Sequence, residues 1–281
     1  MEEGESQKLS SVIFLCLSML GAIINIILLL CIQRNPLKCF RNCSSYLVAH
    51  QAISDVITCL SVASYCIAMI NGDSEKLFFD AIPKTFVVLS FTAFVALFLV
   101  SLDRFLAIRF PIKYRIHVRP SRLPLVLLPI WLCTFLLIVI IIKIPTLHHW
   151  INKTLMYNGV ITVLLKLCLH ALAFWTIKQK GSDVLRSSRD SQSTSNKNRN
   201  VTKRKRQSRF LFTVFLITVV VLVTSVPMLS FYNYYGHMNF VWTSKGGSVF
   251  ILYWLGIIFS PAIYFIRLKS YKESLKKLLT F

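Results

Sequence analysis

The stretch FVVLSFTAFVALFLVSLDRFLAIRFPIKYR, residues Phe86–Arg115, decides the fold of this chain. Its first half is almost entirely apolar, and the apolar run ends at an acid–base pair, Asp103 and Arg104. A helix needs about 20 predominantly apolar residues to cross the hydrocarbon core of a bilayer. The pattern therefore predicts a membrane-spanning helix that ends in charged residues at the membrane surface, where a charge costs least.

The rest of the 281-residue chain repeats this pattern. Hydrophobic residues make up 55% of it and charged residues only 15%, whereas about 25% of a soluble domain is charged. No window alternates like a barrel strand, and a lipid-embedded backbone must form its hydrogen bonds internally, so helices are expected. The sequence predicts an all-α membrane protein, a seven-transmembrane helix bundle. The predicted spans are Ser10–Ile32, Ser45–Ile70, Ile82–Ala107, Leu123–Ile142, Leu155–Ile177, Arg209–Tyr234 and Gly246–Ile266.

The distribution of basic residues predicts the orientation in the membrane. Of the 32 lysines and arginines, 25 fall in the segments that the seven spans place on the side of the C-terminus. The positive-inside rule then predicts an extracellular N-terminus and a cytoplasmic C-terminus. The formal charge of +21 is thus a signal of membrane topology, and no nucleic-acid partner is expected from the basic run Lys203–Arg206.

The chain divides into three predicted parts. Residues 1–9 form a short extracellular N-terminus, and residues 10–267 form the membrane domain. Within the domain, about residues 180–208 are polar, basic and serine-rich, and we expect this loop to be disordered. Residues 268–281 carry leucines and a tyrosine on one helical face and lysines on others, which predicts an amphipathic helix lying on the bilayer.

Cysteines and glycosylation signals fit the same topology. Of the eight cysteines only Cys66 approaches the outer surface, so no extracellular disulfide is expected. No cysteine and histidine pair has the spacing of metal ligands, and no cofactor is expected. Three N-x-S/T sequons occur, and only Asn152 lies on the predicted outer side, which makes it the candidate for glycosylation.

Polar residues and prolines within the spans need a reason, because a charge at mid-helix is costly. Asp55 is the only acid deep within a span, and Asn25 is an amide at a similar depth in span one. Pro227 can kink span six, and the segment SPAIY near the end of span seven contains Pro261 and Tyr264. Each of these residues alone is equally compatible with packing.

Together these features resemble the rhodopsin-like (class A) G-protein-coupled receptors. The segment SLDRFLAIRFPIKY, Ser101–Tyr114, closely resembles the D-R-Y motif of that family and the residues after it, with Phe105 in place of the tyrosine. Trp131 resembles the tryptophan of span four, and SPAIY resembles N-P-x-x-Y. Asn25, Asp55 and Pro227 fall at matching places, so the resemblance covers essentially the whole chain.

The resemblance implies a plasma-membrane receptor without enzymatic activity, whose partner is a heterotrimeric G protein. At rest Asp103 would hold Arg104, and on activation spans five and six would move apart and expose Arg104 to the C-terminal helix of the G protein. Ile108, Pro111 and Ile112 would form a docking knob beside it. The residues so assigned to coupling and switching are Asp103, Arg104, Ile108, Pro111, Ile112, Tyr114, Asn25, Asp55, Pro227, Pro261 and Tyr264.

The resemblance also implies a second partner, arrestin. The tail after span seven holds few hydroxyl groups, so arrestin would depend on phosphorylation of the serine-rich loop Ser187–Ser195.

The chain departs from the family at several places. Span six has Ser225 where the family has a tryptophan, and span five has Lys166 and His170 but no proline. The family's disulfide between span three and the outer loop is missing. The positions that would help Asp55 to hold a sodium ion are Leu89, Ala93, Gly256 and Ile257. Their side chains supply no oxygen ligands, which predicts weak sodium binding.

The ligand can be narrowed by exclusion. Span seven has Trp254 where retinal would need a lysine, and span three has Phe86 where amines would need a carboxylate. An apolar or weakly acidic small molecule is expected, with a short peptide as the alternative, and Lys166 would pair with an acidic ligand if it faces the bundle. The predicted lining is Tyr65, Phe86, Ser90, Tyr232, Phe250 and Trp254.

Two other functions stay open. Lone Asp55, Lys166 and His170 could serve a small-solute transporter or channel, although no chain of titratable residues spans the bilayer. A decoy receptor without coupling is compatible with Ser225. A membrane enzyme is disfavoured because the sequence has no HExxH, no GxSxG and no clustered acids.

Overall fold

The structure is a computed structural model that describes the backbone of residues 2–72, 76–187, 194–235, 241 and 243–280. This part of the chain forms nine α-helices and a short 3₁₀ helix, Pro120–Arg122. The α-helices are α1 (Glu2–Arg34), α2 (Cys43–Asn71), α3 (Lys76–Arg109), α4 (Pro111–His117), α5 (Leu123–Lys143), α6 (Pro145–Ser187), α7 (Thr194–Tyr235), α8 (Ser244–Arg267) and α9 (Lys269–Leu279).

Seven of these helices are long and apolar enough to cross a membrane, which confirms the predicted fold class and makes the chain a multi-pass membrane protein. They are α1, α2, α3, α5, α6, α7 and α8. Their apolar parts, within the described residues, are Gln7–Arg34, Cys43–Asn71, Thr85–Arg109, Pro120–Lys143, Lys153–Gln179, Ser208–Phe231 and Lys245–Arg267.

Two apolar clusters fix the directions of the helices. One cluster joins the beginnings of the membrane parts of α1, α3, α6 and α8 to the ends of α2, α5 and α7; it includes Phe14, Cys66, Phe86, Ile141, Leu155, Met228 and Phe250. The other joins the ends of α1, α3 and α8 to α9 and to the beginnings of α2, α5 and the apolar part of α7; it includes Ile32, Leu47, Val100, Leu123, Val214, Tyr264 and Tyr271. Neighbouring spans therefore run in opposite directions.

The two ends of the bundle differ in charge. Arg34, Arg104 and Arg267 lie at the end formed by the second cluster, which we name the basic end; the other is the opposite end. The central helix is α3, since 61% of its most apolar window is buried inside the protein, against 11% for α5. The large apolar side chains that α5 leaves uncovered, such as Phe135, face a lipid environment that is as apolar as they are.

Local sequence explains where α2 begins and ends. The Asn42 side chain accepts a hydrogen bond from the Ser45 amide at 2.9 Å and so caps the first turn. Gly72 ends the helix with φ of +75°, a left-handed conformation that glycine adopts without strain. The cap holds Ser44, which follows it by two residues, at the basic end of the bundle.

The helices extend further than the sequence predicted. α1 begins at Glu2, within the predicted N-terminal segment, and α6 begins at Pro145, ten residues before the predicted span. The loop predicted to be disordered is helical up to Ser187 and again from Thr194, while residues 188–193 lie outside the described part. A helix already nucleated in the membrane needs no new nucleus to grow, and lysine, arginine and glutamine are good helix formers.

A short amphipathic helix follows the last span, as the sequence predicts. Leu268 breaks α8 with an extended backbone, and α9 begins at Lys269. Tyr271 and Ser274 are buried against the bundle, whereas Lys272, Lys276 and Lys277 are exposed or half-buried.

Candidate functional site

Asp103 is the centre of a hydrogen-bonded cluster at the basic end. Its Oδ2 accepts hydrogen bonds from the Ser44 hydroxyl at 2.5 Å and from Nη2 of Arg104 at 2.6 Å. Its Oδ1 accepts a short hydrogen bond from the Tyr114 hydroxyl. The carboxylate, which is buried, thereby ties together the first turn of α2, the end of α3 and the short helix α4.

The sequence places Tyr114 through a break after α3. Phe110 leaves the helical conformation with φ of −125° and ψ of 61°, and Pro111 then begins α4. Proline suits the first turn of a helix, where its missing N–H leaves no bond unmade. The four residues from Phe110 to Tyr114 turn the phenol back beneath Asp103.

The electrostatics of the cluster favour a neutral phenol at Tyr114. Burial raises the pKa of Tyr114 well above its ordinary value, and the negative charge of Asp103 raises it further. The phenol therefore remains a donor across the physiological pH range. Hydrogen bonds to a charged group contribute about 1.5–3 kcal/mol each, so this cluster is among the stronger polar contacts of the bundle.

Arg104 is held on its other side by α7. Its guanidinium lies over the ring of Phe210, 4.5 Å from the centroid. Close by, the guanidinium of Arg267 at the end of α8 lies 4.6 Å from the centroid of Phe212. Two arginines from two helices thus contact neighbouring rings of α7, and each such contact contributes about 0.5–2 kcal/mol.

An aromatic stack lies beside this cluster. Tyr271 of α9 packs against Phe40 and Tyr264, with ring centroids 4.6 Å and 5.6 Å away. Tyr264 is almost fully buried, and its hydroxyl has no hydrogen-bond partner among the described residues. A buried hydroxyl without a hydrogen-bond partner is uncommon. It is expected to bond to a water molecule, or to a polar group that a different arrangement of the helices would bring close.

The basic end contains a cavity of about 730 Å³, the size of a site for a drug-sized molecule or the end of a helix. It lies between the loop that joins α1 to α2, the ends of α3 and α8, and helices α4 and α9. Among its lining residues are Arg41, Arg104, Arg115, Phe210 and Tyr271. The cavity is therefore positively charged, with Arg104 on its wall.

The structure separates the three residues predicted to form a docking knob. Ile112 is 76% exposed and Pro111 is exposed beside it, on the surface of α4. Ile108 is buried instead and packs against Ala173 and Leu211. It joins α3 to α6 and α7 and offers no surface in this conformation.

Asn25 and Asp55 are both buried in the middle of the bundle. The Asn25 side chain donates a hydrogen bond to the carbonyl of Gly21 at 2.9 Å, within its own helix. Asp55 lines a cavity of about 30 Å³, enough for one or two waters. Hydroxyl- or amide-bearing residues line it with Asp55: Gln51, Ser90, Thr224, Ser225, Tyr253 and Ser260.

This cavity corrects the expectation that too few oxygens surround Asp55. Of the four positions considered from the sequence, Ala93, Gly256 and Ile257 do line the cavity and Leu89 does not. The oxygens come from other positions, because the side chains that meet Asp55 project from α3, α7 and α8, whose rotations the sequence alone does not reveal.

The two prolines lie near a tight contact between Gly256 of α8 and Thr224 of α7. Both helices remain continuous through Pro227 and Pro261. A Cβ built on Gly256 would lie 2.3 Å from the Thr224 hydroxyl, so only glycine fits there. Ser260 donates a hydrogen bond to the Gly256 carbonyl at 2.8 Å, which supports the backbone next to Pro261.

The predicted ligand residues are only partly brought together. Phe86 and Ser90 line an apolar cavity of about 20 Å³ in the opposite half of the bundle. Phe250 and Trp254 are packed in the core beside it, with ring centroids 6.0 Å apart, and Tyr65 is half-buried in α2. The side chains of Tyr232 and Asn152 lie outside the described part of the chain.

Three contact residues were missed from the sequence. Ser44 and Phe210 contact the Asp103–Arg104 pair, and Tyr253 lies beside Phe86 with its hydroxyl 3.0 Å from that of Ser90. The first two are polar or aromatic residues at the beginning of a span that meets the end of α3. A serine in the first turn after a helix cap is the one local signal that could have identified Ser44.

No metal-binding group of three or more histidine, cysteine or acidic side chains occurs in the part of the chain that was described, where all eight cysteines are free. No protein-family model matches this sequence, and no curated protein matches it.

Proposed function

We propose that this chain is a rhodopsin-like G-protein-coupled receptor of the plasma membrane, with its N-terminus outside the cell. The observation that carries the proposal is Arg104, which is paired with Asp103 and lies on the wall of a large basic cavity that Phe210 also lines. The seven-helix fold and the excess of basic residues at that end support it.

The contacts suggest how the switch works. In the resting arrangement Asp103 is satisfied by Ser44, Tyr114 and Arg104, and Phe210 covers the guanidinium. An outward movement of the basic end of α7 would remove Phe210 and leave Arg104 facing the cavity. The C-terminal helix of a heterotrimeric G protein would enter there and accept hydrogen bonds from the guanidinium.

Other parts of the proposal follow from this arrangement. Ile112 and Pro111 on α4 are exposed at the rim and would contact the G protein. A ligand entering from the opposite end would act on α7 through the packed aromatic residues beside Phe86. Arrestin would bind the phosphorylated segment Ser187–Ser195, whose side chains fall largely outside the described residues.

The test is a panel of sensors for each class of G protein in cells that express the full chain. We expect basal or ligand-induced output that Arg104→Ala lowers at least tenfold, because the substitution removes the contact with the G protein. Arg34→Ala, which removes an exposed arginine at the same end, is the matched control and should leave output unchanged.

Other outcomes separate the alternatives. Equal output from wild type and Arg104→Ala would contradict the proposed switch. Absence of output from both together with solute flux would favour a transporter or channel, a role for which buried Asp55 and Lys166 are suited. Absence of both output and flux, with ligand binding retained, would favour a decoy receptor.

A further inference from the structure

Lys166 lies in the middle of the bundle, and no described residue supplies a counter-charge. Its side chain is 0% exposed, and Nζ has no hydrogen-bond partner among the described residues. The one contact seen for the amino group is with the ring of Phe94, 5.2 Å to the centroid. His170, one turn further along α6, is also buried, and its Nε2 likewise has no partner there.

No carboxylate in the described residues compensates Lys166. Asp103 is paired with Arg104, and Glu273 on α9 is paired with Lys269. Asp55 lines the central cavity without an ion pair to Lys166. Contact with one aromatic ring stabilises a buried cation less than the loss of water destabilises it. An anion beside Lys166 would therefore stabilise the charged amino group.

The space next to Lys166 is apolar. Phe94, whose ring contacts the amino group, also lines the cavity in the opposite half of the bundle, together with Phe86, Phe91, Leu155 and Leu229. Gly159 lines a cleft in this wall, and a Cβ there would make ordinary contact, at 3.9 Å, with both Leu229 and Phe94. At about 20 Å³ the cavity holds one water, so a larger occupant needs these side chains to move apart.

We propose that Lys166 is the counter-ion for an amphiphilic ligand with one anionic headgroup and an apolar chain. The headgroup pairs with Lys166, and the chain occupies the cleft between Phe86, Phe94, Gly159 and Leu229. The inference rests on the proposed function, because it takes this molecule to be the ligand of the proposed receptor. A peptide fits less well, since its backbone would require many polar partners that this lining lacks.

Carboxylate and phosphate headgroups share this chemistry, and direct binding distinguishes them. The full chain in lipid nanodiscs is titrated with oleate, methyl oleate and oleoyl lysophosphatidate, and binding is followed by the shift in melting temperature and by tryptophan fluorescence. We expect the wild type to bind at least one of the two anions at least tenfold more tightly than the neutral ester. The preferred anion identifies the headgroup.

Variants assign the preference to Lys166. Lys166→Met should lower affinity for the preferred anion at least tenfold and abolish the preference over the ester, while raising the melting temperature without ligand because an unpaired buried charge is removed. Lys166→Arg should keep the preference. Lys153→Met, the same change at an exposed position of α6, is the matched control and should behave as wild type.

A further variant tests the place of the chain. Gly159→Val should fill the cleft and weaken binding of the anion without changing the fold. Equal binding of acid and ester, or an acid preference that survives Lys166→Met, would overturn the inference. Because binding is measured without a G protein, Lys166-dependent binding with no G-protein output would contradict the proposed function and leave the anion site established.

Discussion

At the scale of single residues, the behaviour of Asp103 depends on how its hydrogen bonds are shared. Ser44, Arg104 and Tyr114 come from three different elements, and each removes part of the cost of burying the carboxylate. Losing one donor leaves the others in place, whereas losing the carboxylate leaves Arg104 half-buried and held by Phe210 alone. The carboxylate is therefore more critical than any one of its donors.

Tyr114→Phe tests this sharing of hydrogen bonds. We expect it to lower the free energy of unfolding by about 1.5 kcal/mol, the low end for a bond to a charged group, because two donors remain. Thermal denaturation of the purified chain measures the change. Tyr157→Phe, at an exposed position of α6, is the control and should cost nothing. A loss equal to that of the control would show that Tyr114 contributes no stability.

The pH dependence of this loss follows from the raised pKa of Tyr114. An unfolded tyrosine ionises near pH 10, and the folded phenol ionises only at higher pH. The stabilisation is therefore fully present below about pH 10 and declines as the pH rises beyond it. The difference between wild type and Tyr114→Phe should stay constant from about pH 6 to pH 9.

At the scale of elements, one tight contact joins α7 and α8. The backbone of Gly256 lies against the Thr224 hydroxyl. Pro227 and Pro261, where the two helices can bend, lie close to this contact along the chain. The contact fixes the distance between the helices there, while the arginine–aromatic contacts hold α7 at the basic end. A movement of α7 would therefore pivot near Thr224.

Gly256→Ala should destabilise the bundle by about 1–3 kcal/mol, because the new methyl group cannot fit beside Thr224. The double variant Gly256→Ala with Thr224→Ala should recover part of the loss, since the second change removes the hydroxyl that would lie 2.3 Å from the new methyl group. Gly159→Ala is the control, because its Cβ meets only ordinary contacts. Thermal stability of the wild type, Gly256→Ala, Thr224→Ala and the double variant gives the coupling energy, and failure of the double variant to recover would contradict this contact.

At the scale of the whole molecule, charge and apolar length together determine how the bundle lies in a membrane. The basic end carries Arg34, Arg104 and Arg267 and the lysines of α9. Positive side chains at one end of a bundle attract the anionic lipids of the membrane surface beside them. The exposed apolar surface of α5 and its neighbours requires a lipid environment.

Epitope tags test this orientation. A tag at the N-terminus should be detected on intact cells, whereas tags inserted between residues 188 and 193 or at the C-terminus should be detected only after permeabilisation. A glycosylation site engineered into the N-terminal segment serves as an independent control. Detection of the internal tag on intact cells would contradict the proposed topology and, with it, G-protein coupling.

The sequence by itself determined the number of spans and the charged end of α3. The length of an apolar segment and the positions of basic residues are local properties, and they act in the same way in any lipid bilayer. It also indicated Asp103 and Arg104 as a site. It did not reveal the polar residues around Asp55 or the burial of Ile108. Helix rotation decides which side chains meet, and a membrane helix that is apolar on all faces carries no amphipathic pattern that would reveal its rotation.

The tertiary structure alone decided the long-range pairs. Ser44 meets Asp103 across 59 residues, and Phe210 of α7 covers Arg104 of α3. It also placed Lys166 inside the bundle with no counter-charge among the described residues, where the sequence allowed either a lysine that faces the bundle or one that extends from the basic half towards the membrane surface. The length of an apolar segment places a helix in the bilayer but does not determine which helices lie next to it. Packing between helices determines the neighbours, and the polar contacts follow from that packing.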